Sequence, residues 1–76
     1  MEYRERITID PAILAGKPVI RGTRITVAFV VDLLAQGWEP RDIERSYPGI
    51  VREDILACLA YAAAVLDAER VYPVSV

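Results

Sequence analysis

Three cations lie within eight residues of a segment that is rich in turn-forming residues. Lys17, Arg21 and Arg24 belong to residues 16–24, whose two glycines and one proline predict a turn, a short strand and a second turn. Cations held in this way can bind a phosphate or a carboxylate, and guanidinium groups can do so with two parallel hydrogen bonds. The same side chains can instead tie the segment to acidic helices of the same chain. The sequence leaves both interpretations open.

Residue types that usually perform catalysis or bind metals are scarce. The chain has no histidine, and its one cysteine, Cys58, lies between Ala57 and Leu59 in an apolar segment. Histidine is the commonest general base and, with cysteine, the usual ligand of zinc. The sequence therefore predicts no enzyme, no metal site and no cofactor, and Cys58 is expected to be a small core residue.

The charges of the chain are unevenly distributed. The formal net charge is −2, with an excess of cations in residues 1–25 and of anions in residues 26–76. A general nucleic-acid binder has a strong basic excess on one face, which this sequence lacks. If DNA is bound, we expect a local set of cations, brought together by dimerisation, to make the contacts. These cations are Lys17, Arg21, Arg24, Arg41 and Arg45.

Two short strands and three helices must position these side chains. Alternating apolar residues bounded by turn-forming residues predict the strands, with one helical turn over residues 12–15 between them. Apolar periodicity, flanking glycine and proline, and Thr26 as an N-cap predict the helices. The predicted elements, in chain order, are residues 7–9, 18–20, 26–36, 40–46 and 52–70. The fold class is therefore mainly α, a single domain of residues 1–76 with a short N-terminal β element.

The predicted helices contain more apolar residues than a small domain can bury. The first is apolar almost all the way round, and 54% of the 76 residues are apolar. The third carries one broad apolar stripe, with several alanines that would let another helix approach closely. This stripe consists of Ile55, Leu56, Leu59, Ala62, Ala63 and Leu66. We therefore expect a homo-oligomer, a dimer or larger.

The sequence has none of the marks of a secreted or membrane protein. It has no basic leader followed by an apolar run and a cleavage site, and no apolar run approaches the roughly 20 residues that span a bilayer. A single cysteine forms no disulfide framework. We expect a cytoplasmic protein without a membrane role, in which Trp38 and Tyr61 are packed aromatic residues.

The C-terminal residues 71–76 depart from the helical pattern and form a predicted extended tail. Pro73 excludes the tail from the centre of a sheet, but an apolar extended segment can add to the edge of a partner's sheet or fill a groove. The alternative is that Tyr72 and Val74 fold back on the core of their own domain. The residues expected to bind a partner are Val71, Tyr72, Pro73, Val74 and Val76.

Motifs over most of the chain, from about residue 7 to 66, resemble domain-of-unknown-function family 433. They are Ile9-Asp10-Pro11, Ala15-Gly16-Lys17-Pro18-Val19-Ile20-Arg21-Gly22-Thr23-Arg24-Ile25, Gly37, Tyr47-Pro48, Glu53-Asp54-Ile55 and Leu59-Ala60-Tyr61-Ala62. The resemblance implies a homeodomain-like helix-turn-helix domain with an N-terminal β element. It also implies the antitoxin of a type II toxin–antitoxin pair, similar to antitoxins of the VapB kind, whose partner is a PIN-like ribonuclease. Autorepression of the operon through operator DNA is a further role in this interpretation.

Two positions depart from the pattern of that family. Val51 stands where Thr or Ser usually precedes the third helix, and Glu39 stands where Ser or Thr often precedes the second. Since Val51 cannot accept a capping hydrogen bond, the third helix should begin about 1 kcal/mol less stably than with a good cap.

The first residues of the third helix argue against direct base reading. In a helix-turn-helix, this end of the helix enters the major groove, and here it would present Arg52 together with the anions Glu53 and Asp54 to phosphates. A scaffold and a DNA-reading domain both remain possible, since a fold does not fix a function. The alternatives to an antitoxin are a DNA-binding regulator without a toxin and a structural homo-oligomerisation module.

Overall fold

A computed structural model describes residues 2–68 of the chain. Its elements are a 3-10 turn over Tyr3–Glu5, β1 (Ile7–Thr8), a second 3-10 turn over Leu14–Gly16, β2 (Val19–Ile20), α1 (Val27–Ala35), α2 (Pro40–Ser46) and α3 (Arg52–Ala68). The predicted fold class is confirmed: three helices follow a short antiparallel sheet of two strands. In the described part of the chain, none of the helices has the length and apolar character needed to cross a bilayer.

The two strands bring the N-terminal turn and the cationic segment side by side. Ile7 pairs with Ile20 and Thr8 with Val19, so each strand is one residue shorter than predicted. After β2 the chain turns and returns, and the Ile20 N–H donates to the Ile25 carbonyl at 2.9 Å. The segment that returns after β2 leads directly into the first residue of α1.

The predicted helical turn over residues 12–15 is displaced toward the C-terminus. The structure has a 3-10 turn over Leu14–Gly16, and Leu14, Ala15 and Gly16 all have positive φ, of 48°, 57° and 79°. The cause lies upstream, because Asp10 accepts hydrogen bonds from the N–H groups of Ala12 and Ile13 and forms a separate turn. A regular helical turn therefore cannot begin at residue 12.

The helix starts use side chains that the sequence partly indicated. Thr26 Oγ1 accepts from the Phe29 N–H at 3.0 Å, as predicted for an N-cap. At α2 and α3 an aspartate in the first turn reaches back instead: Asp42 accepts from the Glu39 N–H at 2.8 Å and Asp54 from the Val51 N–H at 3.0 Å. These bonds satisfy the backbone N–H directly before each helix, and at α2 the Glu39 side chain also accepts from the first turn, which completes a capping box.

The core forms where α3 crosses the sheet and the other two helices. Its members include Ile20, Ile43, Ile55 and Cys58, each at most 2% exposed. Trp38 and Tyr61 pack against this cluster, as expected. Within a single chain, however, α1 is not buried on all sides. Its buried residues are Val27, Val30 and Leu33, while Ala28 and Phe29 are exposed.

Candidate functional site

Arg21 is engaged with the backbone of its own chain. Its Nε donates to the Glu5 carbonyl at 3.0 Å and a terminal nitrogen donates to the Arg4 carbonyl at 3.1 Å. The Arg21 backbone N–H also donates to the Arg6 carbonyl at 2.8 Å. The side chain therefore joins the N-terminal turn to the end of β2 through carbonyl groups. The internal partners considered from the sequence were instead acidic side chains of the helices.

Lys17 and Arg24 are exposed on either side of β2. Within residues 2–68 neither side chain takes part in an ion pair or a hydrogen bond to another residue. The turn before Arg24 is fixed by Thr23, whose hydroxyl donates to the Ile20 carbonyl at 2.8 Å and accepts from the Ile25 N–H at 3.0 Å. Arg24 is thus an exposed cation held on an ordered turn.

The two predicted cations of α2 lie one helical turn apart, but they border different surface depressions. Arg41 pairs with Glu39 at 2.9 Å, and both side chains are at least 60% exposed, so the pair contributes little to stability. Arg45 lies beside Trp38 and Asp42 in the other depression. Within one chain, Arg41 and Arg45 therefore do not share one depression.

The two acidic residues at the start of α3 differ in exposure, since Glu53 is exposed and Asp54 is buried. Asp54 is only 8% exposed, and its carboxylate accepts from the Arg6 guanidinium at 3.1 Å as well as from Val51. Asp54 points inward because Arg6 and the Val51 N–H satisfy it there, so it acts at the start of the helix and is not presented to solvent.

Three apolar residues follow the outward side of α3. Leu56 is 40% exposed, Leu59 is 42% exposed and Ala63 is exposed, and their spacing of three and four residues places them on one helical face. We call this set the outer face of α3. The predicted single stripe is thus divided, since Ile55 is 1% exposed and belongs to the core while these residues face solvent.

A second apolar surface lies between α1 and the C-terminal half of α3. It is an open groove of about 540 Å³, and we call it the α1–α3 groove. Its walls are Val27, Ala28, Val31, Tyr61, Ala62, Val65 and Leu66. Lys17, Pro18 and Thr26 complete the lining, and of the described residues that line it only Lys17 is charged. A small-molecule site usually has several polar groups that fix the orientation of the ligand, so this groove is better suited to apolar side chains of a protein.

Cys58 is fully buried, and burial, with the nearby carboxylate of Asp54 adding to it, raises the pKa of its thiol to about 12. At neutral pH the thiol is therefore protonated and unreactive, as a core residue should be. Within residues 2–68 no group of three or more His, Cys, Asp or Glu side chains is arranged to hold a metal ion. The predicted partner-binding tail, Val71 to Val76, lies outside the described residues.

Comparisons with known proteins agree on the family and name no activity. A family model described as "Protein of unknown function (DUF433)" matches residues 7–62. Over 61 residues the chain is 38% identical to the uncharacterised protein y4eO of Sinorhizobium fredii, covering 80% of this chain and 28% of that protein. The crystal structure of a DUF433 member from Anabaena variabilis is similar with a TM-score of 0.77 and 32% identity, covering 82% of this chain and 61% of that one. The chain thus spans less than two thirds of the length of either relative.

Proposed function

The chain belongs to the protein family of unknown function DUF433, and on this basis we propose that it is the antitoxin-like member of a toxin–antitoxin pair. In this role it binds and inhibits a PIN-like ribonuclease, the partner implied by the resemblance of its motifs, and it acts as a binding protein without catalysis of its own. The proposed compartment is the cytoplasm, in keeping with a single cysteine.

The observation that carries the proposal is the outer face of α3. Leu56, Leu59 and Ala63 recur at the spacing with which a helix presents apolar anchors to a groove of another protein. Within one chain these side chains remain exposed, although Ile55 beside them is buried. Burying them against a partner would stabilise the complex at about 25 cal/mol per Å² of apolar surface removed from water.

The chain beyond α3 extends the same surface in sequence. Residues 71–76 follow α3 in the sequence, and in this proposal Val71, Tyr72 and Val74 contact the same partner. Among the cations, Arg24 is the better candidate to pair with carboxylates of the nuclease, because Arg21 already binds backbone carbonyls. A cation that covers acidic active-site groups would explain inhibition as well as binding.

The test is co-expression with the product of the adjacent open reading frame, which the proposal predicts to be a PIN-like protein. Replacing Leu56 and Leu59 by glutamate should abolish co-purification and release the ribonuclease activity, since two charges would be buried without partners. The matched control is Ile9→Glu, because Ile9 is 56% exposed but lies outside α3. Full inhibition by the Leu56→Glu, Leu59→Glu variant would refute the role of the outer face. The tail is tested separately with a chain ending after Arg70, and an undiminished complex would exclude its contribution.

A gel-shift assay on the promoter of the gene that encodes this chain, repeated at rising salt, tests whether the chain binds operator DNA. Phosphate contacts release counterions, so specific binding by the isolated chain should weaken steeply with salt. Such binding without any nuclease complex would favour a regulator instead of an antitoxin. A stable homo-oligomer that binds neither DNA nor a neighbouring protein would favour an oligomerisation module.

A further inference from the structure

We propose that the outer face of α3 is also the contact surface of a homodimer, in which the same face of a second copy packs antiparallel along it. This inference goes beyond the proposed function, because it concerns two copies of this chain and no other protein. If the nuclease binds the same face, each of the two complexes excludes the other, and the dimer is then the nuclease-free form.

The outer face has the spacing of a short contact between two helices. Leu66, three residues beyond Ala63, continues the face and is 65% exposed. With Leu66, the four exposed residues are separated by steps of three, four and three, the heptad spacing with which two helices pack side by side. These steps are the same from either end, so an antiparallel second copy meets the face in register, as an isologous contact requires.

The side chains are complementary in size in this register. Leu56 lies opposite Leu66 of the second copy, and Leu59 lies opposite Ala63. A leucine opposite an alanine fills the space that the small side chain leaves. Ala60, beside the face, is also small and lets the two helices approach closely. The exposed parts of the leucines are thus removed from water in both copies.

The charges at the two ends of the face favour an antiparallel neighbour. Arg52, four residues before Leu56, begins α3, and Asp67, four residues after Ala63, lies in its last turn. Each therefore lies at the end of the helix dipole that disfavours its own charge. An antiparallel second copy places its Asp67 and the negative end of its α3 beside Arg52. By symmetry, Asp67 of the first copy receives the opposite set.

The same charges argue against other arrangements. A parallel second copy would place Arg52 beside Arg52 and Asp67 beside Asp67. Arg52 also borders a surface depression with Glu39 and Glu44, but within residues 2–68 no ion pair joins it to either of them. Glu53, one residue after Arg52, projects from a different side of the helix. The antiparallel copy therefore gives both Arg52 and Asp67 an opposite charge.

The test is sedimentation equilibrium of the full 76-residue chain from about 5 to 500 µM, a range that covers weak dimers. Leu59→Asp should abolish the dimer, because its charge would be buried without a partner. The matched control is Val65→Asp, because Val65 is 43% exposed on the same helix but lines the α1–α3 groove, and its Kd should be unchanged. Both positions are exposed, so circular dichroism should show unchanged folding.

The antiparallel direction is tested by exchanging the end charges. Arg52→Asp or Asp67→Arg alone should weaken the dimer about tenfold, because each change turns two attractions per dimer into two repulsions. The chain with both substitutions should recover most of the lost affinity, since each pair is again attractive. Both substitutions place a charge where the dipole of α3 favours it, so a weaker dimer is not explained by a less stable helix.

A wild-type chain that is monomeric throughout the concentration range overturns the proposal. So does a doubly substituted chain that associates no more tightly than either single variant, or a Val65→Asp chain that dissociates as Leu59→Asp does. These outcomes are separate from the proposed function. A monomeric chain leaves nuclease binding to the outer face intact, and a neighbouring gene product that does not bind leaves the dimer intact.

Discussion

At the scale of single residues, Asp54 connects parts of the chain that are far apart in sequence. It accepts from the Arg6 guanidinium across 48 positions and also from the Val51 N–H, directly before α3. Its low exposure makes both hydrogen bonds stronger than they would be in water. One carboxylate thus fixes the start of α3 at Val51 and joins the N-terminal turn to the longest helix.

Asp54→Ala should therefore lower the free energy of unfolding by about 2 kcal/mol, because two charge-assisted hydrogen bonds are lost. The measurement is urea denaturation followed by circular dichroism. The control is Asp67→Ala, an exposed aspartate at the other end of α3, measured at a concentration where the chain is monomeric and expected to change stability by at most about 0.5 kcal/mol. Equal effects of the two substitutions would contradict the role assigned to Asp54.

Cys58 makes the free energy of unfolding depend on pH in the alkaline range. Burial raises the pKa of the native thiol to about 12 from an ordinary value of 9.0, so the unfolded chain loses this proton at lower pH than the native chain does. The contribution of the protonated thiol is complete below about pH 9 and falls as pH rises toward about 12. We expect wild-type stability to decrease more steeply over this range than that of Cys58→Ala. Parallel decreases in urea denaturation at pH 8 and pH 10.5 would argue against this burial.

At the scale of elements, α3 is apolar on two sides for different reasons. Its inward side builds the core, whereas its outer face remains exposed within one chain. The sequence alone did not separate the two sides, because alanine occupies both and the aliphatic residues are adjacent in the chain, with Ile55 inside and Leu56 outside. The separation depends on where α1 and α2 contact the helix, and that is a property of tertiary packing.

The two sides of α3 should therefore respond differently to truncation. Ile55→Ala should cost about 3 kcal/mol of unfolding free energy, since Ile55 is 1% exposed and its removal leaves a cavity. Leu59→Ala should cost less than about 1 kcal/mol, because Leu59 is 42% exposed. Urea denaturation of both variants, at a concentration where the chain is monomeric, decides the matter, and similar losses would mean that the outer face is buried within a single chain.

At the scale of the whole molecule, the sequence predicted the helix order, the Thr26 cap and the cationic hairpin, because these depend on local pattern and turn chemistry. It did not predict the Arg6–Asp54 bond or the carbonyl partners of Arg21, which join residues that only the fold brings together. Nor did it predict which of Lys17, Arg21 and Arg24 would bind the carbonyls of the N-terminal turn, because their order in the chain does not determine their contacts.

Of the two arginines of the hairpin, Arg21 binds backbone carbonyls of the N-terminal turn and Arg24 is exposed. Single substitutions should separate these roles. Arg21→Ala should lower the free energy of unfolding by about 1 to 2 kcal/mol, because two hydrogen bonds to the Arg4 and Glu5 carbonyls are lost. Arg24→Ala should leave stability unchanged and weaken binding of the proposed nuclease partner, most strongly at low salt where the cation is least screened. Urea denaturation and titration calorimetry with the nuclease at two salt concentrations measure both effects. A loss of stability in Arg24→Ala, or a loss of binding confined to Arg21→Ala, would reverse the assignment.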